Sequence, residues 1–362
     1  MTIRQDIFDE LFVLEIANNH WGSIDRGLRL VRDFATVVRY HGVRAAIKLQ
    51  FRDVDTFVHR DFRDRTDVRY IKKTVDTRLT DDELGRLVEE TRLNNCIRMA
   101  TPFDERSVDL CVQLGIEIIK IASSDIVDWV LLEAVAKTKK PVIVSTGGAT
   151  VRDMDAMVTF FTNRSIPLAI NHCVSLYPSD DSDLELNQID FLRHRYPTIT
   201  IGWSGHETAR DIEATMMMAY AKGARSFERH VDIRTEDRPF TPYCSTPDEI
   251  SSWFSAFDRA KRICGGSPST RRMLPQRELE YLDALVRGVY ASRDLPAGAR
   301  LTADDIYLAV PLQKGQLSCR ELISGDILQA SVSAHKPITV DLLDTPYSRT
   351  PELRRRIEER GL

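Results

Sequence analysis

FVLEIANNHWG, residues 12–22, is an apolar run of strand length that ends in a carboxylate, two amides and an imidazole. Phe12 to Ala17 reads as a strand, and Glu15, Asn18, Asn19 and His20 give its end many hydrogen-bonding groups. Two readings fit that polar end: a capped turn into the first helix, or one segment of a site built where strands finish. Seven more runs of the same kind follow: Ala45 to Leu49, Ile97 to Ala100, Glu117 to Ile121, Pro141 to Ser145, Leu168 to Asn171, Thr198 to Trp203 and Arg225 to His230. Segments of helical period separate them. Asp104 to Leu114 is apolar at Val108, Leu110, Cys111 and Leu114, and Glu207 to Lys222 carries Ile212, Met216 and Ala219 on one side. Eight strand–helix units in about 250 residues predict an α/β fold, the (β/α)8 TIM barrel. A doubly wound open sheet shares the alternation. The barrel is favoured because almost every run ends in ionisable or hydroxyl groups, as a catalytic C-terminal face requires.

A chain of 362 residues with 43% hydrophobic content has room for one large domain and a smaller one. The predicted divisions are a barrel over 1–270, a linker over 271–285, a small β-rich domain over 286–345 and a charged tail over 346–362, read as a solvated end. Turn formers concentrate in ICGGSPSTRRMLP, Cys264 to Pro275. The charged stretch Arg52 to Thr80 is expected to be an active-site lid or a surface insertion. The formal net charge of -4 argues against a nucleic-acid partner. Six cysteines without a C-x-x-C pair suggest reduced thiols in a cytoplasmic protein, and no run reaches the roughly 20 apolar residues of a membrane span.

Lys48 and Gln50 close the second strand, and Lys120, Ser123 and Ser124 follow the fourth. A lysine ending an apolar barrel strand should point into the mouth and need an anionic partner, so a phosphate-and-carboxylate site is plausible; a pair of snorkelling lysines is the competing reading. Ser204-Gly205-His206 and Glu228-Arg229-His230 end the last two strands. Adjacent strand ends allow His206 and His230 to share one divalent metal, although a histidine is often only a structural hydrogen-bonder. His172 is expected as a third mouth residue, followed by Tyr177, both as donors to substrate oxygens. Cys173, its neighbour on the strand, should then face the other way.

Together these segments resemble the sialic acid synthase family. The motifs are E-I-A-N-N-H-W-G at 15–22, I-K-L-Q at 47–50, T-P-F-D at 101–104, I-K-I-A-S-S-D at 119–125 and K-P-V-I-V-S-T-G at 140–147. To these add H-C-V-S-L-Y-P at 172–178, G-W-S-G-H at 202–206 and E-R-H at 228–230. R-D-L-P-A-G-A-R-L-T-A-D-D-I at 293–306 resembles the family's antifreeze-like (SAF) domain. The resemblance implies condensation of phosphoenolpyruvate with an aldose, assisted by Mn2+ or Mg2+ on His206 and His230, with release of phosphate. It implies that Lys48, Thr101, Lys120, Ser123 and Ser204 hold phosphoenolpyruvate, while Glu15 and Tyr177 face the acceptor. Asn19, Gln50, His172 and Asp237 complete the expected substrate-binding set. It further implies a homodimer in which the C-terminal domain of one subunit closes the barrel of the other.

The departures concern the acceptor. After the eighth strand the family's G-P-D is replaced by the stretch Asp237 to Cys244, and its K-R-P aligns with Ala309-Val310-Pro311, so Lys314, Gln316 or Arg320 would have to substitute for the arginine. Ser175 stands where sialate-forming members have asparagine. N-Acetylmannosamine is therefore one acceptor among several hexose derivatives. A metal-dependent keto-acid lyase and a non-catalytic carbohydrate-binding relative are the two other classes; the second predicts decay of the donor and metal sites, yet Glu15, Lys48, Lys120, His206 and His230 are all present.

Overall fold

Along β1, Leu11–Ala17, residues 11, 13 and 15 share one side and Phe12, Leu14 and Ile16 the other. In the computed structural model the first set turns inward and the second packs beneath surrounding helices. The structure describes residues 6–267, 269–321 and 325–362. The same alternation runs through β2 (Ala45–Phe51), β3 (Ile97–Pro102), β4 (Ile118–Ile121), β5 (Val142–Ser145), β6 (Leu168–Cys173), β7 (Thr200–Gly205) and β8 (Ser226–His230). All eight are parallel, and β1 pairs with both β2 and β8. That closure excludes the open sheet: the unit is a (β/α)8 barrel.

The inward series fixes where chemistry can occur. At the N-terminal ends it supplies Leu11, Val13, Ala46, Met99, Ile118, Ile143 and Ala169, a small apolar plug. Two residues further along, on the same side of each strand, it supplies Glu15, Lys48, Thr101, Lys120 and Ser145. The plug closes the barrel bottom, so the polar ends face a cavity at the top only. Outside, helices such as Ile24–His41 bury one stripe (Leu28, Val31, Phe34, Ala35, Val38) against the strands. Ser23 caps that helix by accepting from the Arg26 amide, and Gly42 ends it at φ 63, a left-handed conformation suited to glycine.

The chain divides into two compact units, Met1–Gly265 and Gly266–Leu362. The division falls within the predicted turn-rich stretch. The second unit pairs Gly288–Ala291 with Ile306–Ala309 and Ile327–Leu328 with Leu343–Asp344 around Val289, Leu295, Leu317, Ile338 and Leu343. Its tail corrects the sequence reading. Helix Pro351–Glu358 buries Ile357 in that core, Arg360 pairs with Glu321, and the Leu362 amide donates to Leu312 O at 3.0 Å. A single apolar anchor among arginines and glutamates was masked by their charge. Gln316 is likewise committed inside this unit: it is fully buried, accepting from Gln313 N and donating to Val289 O. Among the described residues no helix is long and apolar enough to cross a membrane.

Candidate active site

A cavity of about 550 Å³ opens at the C-terminal strand ends. A larger depression of about 860 Å³ lies between helices Glu105–Gln113 and Trp129–Lys137, away from every strand end. In the barrel cavity four charged side chains are almost wholly withdrawn from solvent: Glu15, Lys48, Lys120 and Glu228. Lys48 Nζ stands 2.5 Å from Glu15 Oε2 and 2.7 Å from Glu228 Oε1. Lys120 Nζ donates to Ser145 Oγ at 2.7 Å and lies 3.3 Å from Glu228. Burial pulls the Lys48 ammonium down to about 7 despite Glu228. Burial also opposes charge on Glu228, but Lys120 and Lys48 prevail and hold its carboxyl well below the usual carboxylate range. Thr101 Oγ1, buried on the cavity wall, has no hydrogen-bond partner. An unpaired buried hydroxyl beside two ammonium groups is what an anionic ligand would complete.

Register sets His230 opposite Glu15, which also pairs with Lys48, and two residues beyond Glu228 on β8. The rings of His206 and His230 are 5.3 Å apart, with Tyr177 4.2 Å from His206 and Tyr243 5.2 Å from His230. His206 Nδ1 bonds to Val174 O at 2.9 Å, which requires that nitrogen to carry the proton and leaves Nε2 as a lone pair. Burial holds His206 down to about 4 and, together with His206 itself, keeps His230 well below its usual value. Two neutral imidazoles this close, one fixed in a ligating tautomer, suit a divalent ion. Among the described residues no set of three or more His, Cys, Asp or Glu is disposed to hold one, so its remaining ligands would come from substrate or water.

The cavity brings together Glu15, Lys48, Gln50, Thr101, Lys120, Ser123, Tyr177, Ser204, His206 and His230 of the expected set. Three others lie elsewhere. His172 does not face the cavity: it turns outward against Trp203, its Nε2 bonded to Leu184 O at 2.9 Å, while Cys173 lines the site. The alternation of β6 was the right argument with the wrong parity, because Ala169 and Asn171 are its inward residues. Asn19 is buried in a structural role, donating to Val231 O at 2.8 Å, and Asn18 reaches the cavity instead. Asp237 is exposed beside Arg238 and does not line the cavity. Sequence reasoning quoted Glu228 and Ser145 in motifs without a role. Counting two back from His230 and two on from Ile143 would have found both. Arg52, Tyr70, Lys73 and Tyr243 also line the cavity, the first three from the charged insertion.

Comparison with known proteins gives a consistent picture. A profile described as the NeuB family matches residues 39–267, and one described as the SAF domain matches residues 286–344. A solved structure titled as a candidate spore coat polysaccharide biosynthesis protein E of Chromobacterium violaceum is 38% identical, covers 93% of this chain and 100% of that chain, and superposes with a TM-score of 0.87. The N-acetylneuraminate-9-phosphate synthase of Drosophila melanogaster is 26% identical over 93% of this chain and 96% of its own length. A pseudaminic acid synthase of Campylobacter jejuni is 26% identical over 83% and 86%.

Proposed function

The chain belongs to the NeuB family, and on that premise we propose that it joins phosphoenolpyruvate to an open-chain aldose, giving a 3-deoxy-2-keto sugar acid and phosphate. The observation that carries the reading is the buried cavity floor: Lys48 and Lys120 share one cavity with the unpartnered Thr101 hydroxyl and two neutral imidazoles. Lys48, Thr101, Lys120, Ser123 and Ser204 would hold the donor. His206 and His230 would hold Mn2+ or Mg2+, which when bound supplies Lewis acidity at the acceptor carbonyl. Carbon 3 of the donor forms the new bond to the aldehyde carbon, whose oxygen takes up a proton to become a hydroxyl. Water adds at carbon 2, and the carbon–oxygen bond to phosphate breaks, leaving the keto group. Glu15, with one oxygen on Gln50 at 3.0 Å and the other on Lys48, is placed to exchange that proton or orient the water.

The relatives' differing names support sugar-acid synthesis while leaving the acceptor open, and so does the loss of the family's acceptor-facing residues. We further propose a cytoplasmic homodimer in which the C-terminal domain of one subunit shelters the barrel of the other, as the family resemblance implies; excluding water favours condensation over hydrolysis. The test is to incubate the purified protein with phosphoenolpyruvate, Mn2+ and a panel of aldoses in 18O-water. Carbon–oxygen cleavage predicts label in the keto acid and none in phosphate. Label in phosphate would overturn the proposed bond cleavage.

A further inference from the structure

Each imidazole has a charged neighbour in the chain: Glu207 follows His206 just past β7, and Arg229 precedes His230 on β8. Neither neighbour lines the cavity that His206, Glu228 and His230 share, and each is only 1% exposed. They meet each other instead. Arg229 Nη1 stands 3.2 Å from Glu207 Oε2, and Nη2 donates to Glu207 O at 2.7 Å. On its other side Arg229 Nε donates to Ser245 Oγ at 2.9 Å, and the Ser245 amide donates to His230 O at 2.9 Å. One guanidinium therefore ties the backbone directly after His206 to the segment that holds His230 and carries Tyr243 into the cavity. The carboxylate is confined as well. Thr215 Oγ1 donates to its Oε1 at 2.5 Å, and a Cβ on Gly205 would lie 2.3 Å from its Oε2, so glycine at 205 leaves the room it occupies.

A buried ion pair adds little net stability over apolar side chains of the same volume, because removing two charges from water offsets their attraction. What this pair adds is direction. A guanidinium holds its donors in a planar fork, so three contacts to two chain segments fix how those segments sit against each other. We propose that Glu207 and Arg229 are positioning residues that set the separation of the His206 and His230 rings, 5.3 Å between centres, and with it the affinity and coordination geometry of the divalent ion. The inference rests on the metal-assisted reading above. It adds a second layer behind the imidazoles, where the His206 Nδ1 bond to Val174 O orients one ring and the Glu207–Arg229 pair spaces the two.

The test uses the full chain, with Mn2+ affinity read by calorimetry and the visible absorption of bound Co2+ as the report on ligand geometry. Arg229→Met leaves a lone buried carboxylate, which can prevent folding, so the double variant Glu207→Gln with Arg229→Met removes both charges together. Each folded variant should bind Mn2+ at least about tenfold more weakly and show an altered Co2+ spectrum, the effect of losing outer partners of metal ligands. Arg229→Lys keeps the cation beside Glu207 without the planar fork, and should lie between wild type and the double variant; it decides the matter if the other two do not fold. A pair that only stabilises the barrel predicts a lower urea midpoint with wild-type Mn2+ affinity and Co2+ spectrum in the folded variants. That result would overturn the inference and leave the metal site standing. A parent protein that binds neither ion would remove the metal from the reaction, and the inference with it.

Discussion

Glu228 shows how one side chain organises the site. Its carboxylate accepts from Lys48, Lys120 and Ser204, and so holds two ammonium groups at fixed positions before any ligand arrives. Because Lys120 also bonds to Ser145, it is the donor-binding group whose loss should read out most cleanly. Lys120→Ala is predicted to raise the KM for phosphoenolpyruvate at least about tenfold, since it removes a charge-assisted contact; unchanged kinetics for that substrate would place the donor elsewhere. His206 makes a second prediction. His206→Ala should weaken Mn2+ binding, read by calorimetry, and abolish most activity, while full activity of this variant after exhaustive chelation would remove the metal from the account. His20, outside the cavity, makes a third. It is buried and held down to about 4, its Nδ1 accepting from the Gly22 amide at 3.1 Å. The unfolded chain takes up its proton near pH 6.5 and the folded one only near 4. Folding stability is therefore intact above pH 6.5 and lost as pH falls toward 4, by about 3 kcal/mol from this group. Urea denaturation of His20→Gln should show a shallower loss across that window, and an unchanged slope would mean the ring titrates freely.

Strands carry the lesson about legibility. The eight runs were readable because each alternates apolar residues with a polar end, and barrel closure followed from where those ends fall. Parity was readable wherever a charged residue declared the inward side, as Lys48 does on β2. On β6, LAINHC, each face carries one polar residue, His172 on one and Asn171 on the other, so the inward side had no single marker, and His172 and Cys173 were exchanged. The insertion was legible only as charge: Arg52, Tyr70 and Lys73 reach the cavity, yet their sequence surroundings look like a solvated face. Packing inside the barrel makes a prediction of its own. A Cβ on Gly202 of β7 would strike the Asn171 side chain and approach Ser226 O to 2.5 Å. Gly202→Ala should destabilise the barrel by about 1–3 kcal/mol, the usual cost of overpacking, and a denaturation midpoint equal to wild type would show that β6 or β8 yields freely.

At the scale of the molecule, two units with separate cores account for the division of labour proposed here. All the charged floor residues and both imidazoles belong to the first unit. A chain ending at Gly265 should therefore unfold cooperatively and bind Mn2+, yet condense poorly and discriminate acceptors less well, because the proposed shelter from the partner subunit is gone. Undiminished catalysis by that truncation, or a monomer by analytical ultracentrifugation of the full chain, would contradict the dimer. The central claim is the condensation itself, and the most direct measurement follows phosphate and product together with phosphoenolpyruvate, Mn2+ and an aldose panel. The account predicts phosphate only when donor and a competent aldose are both present, one for each keto acid formed, with a product mass equal to both substrates plus water less phosphoric acid. Phosphate released without an aldose, or a keto acid cleaved or formed without phosphoenolpyruvate, would contradict it.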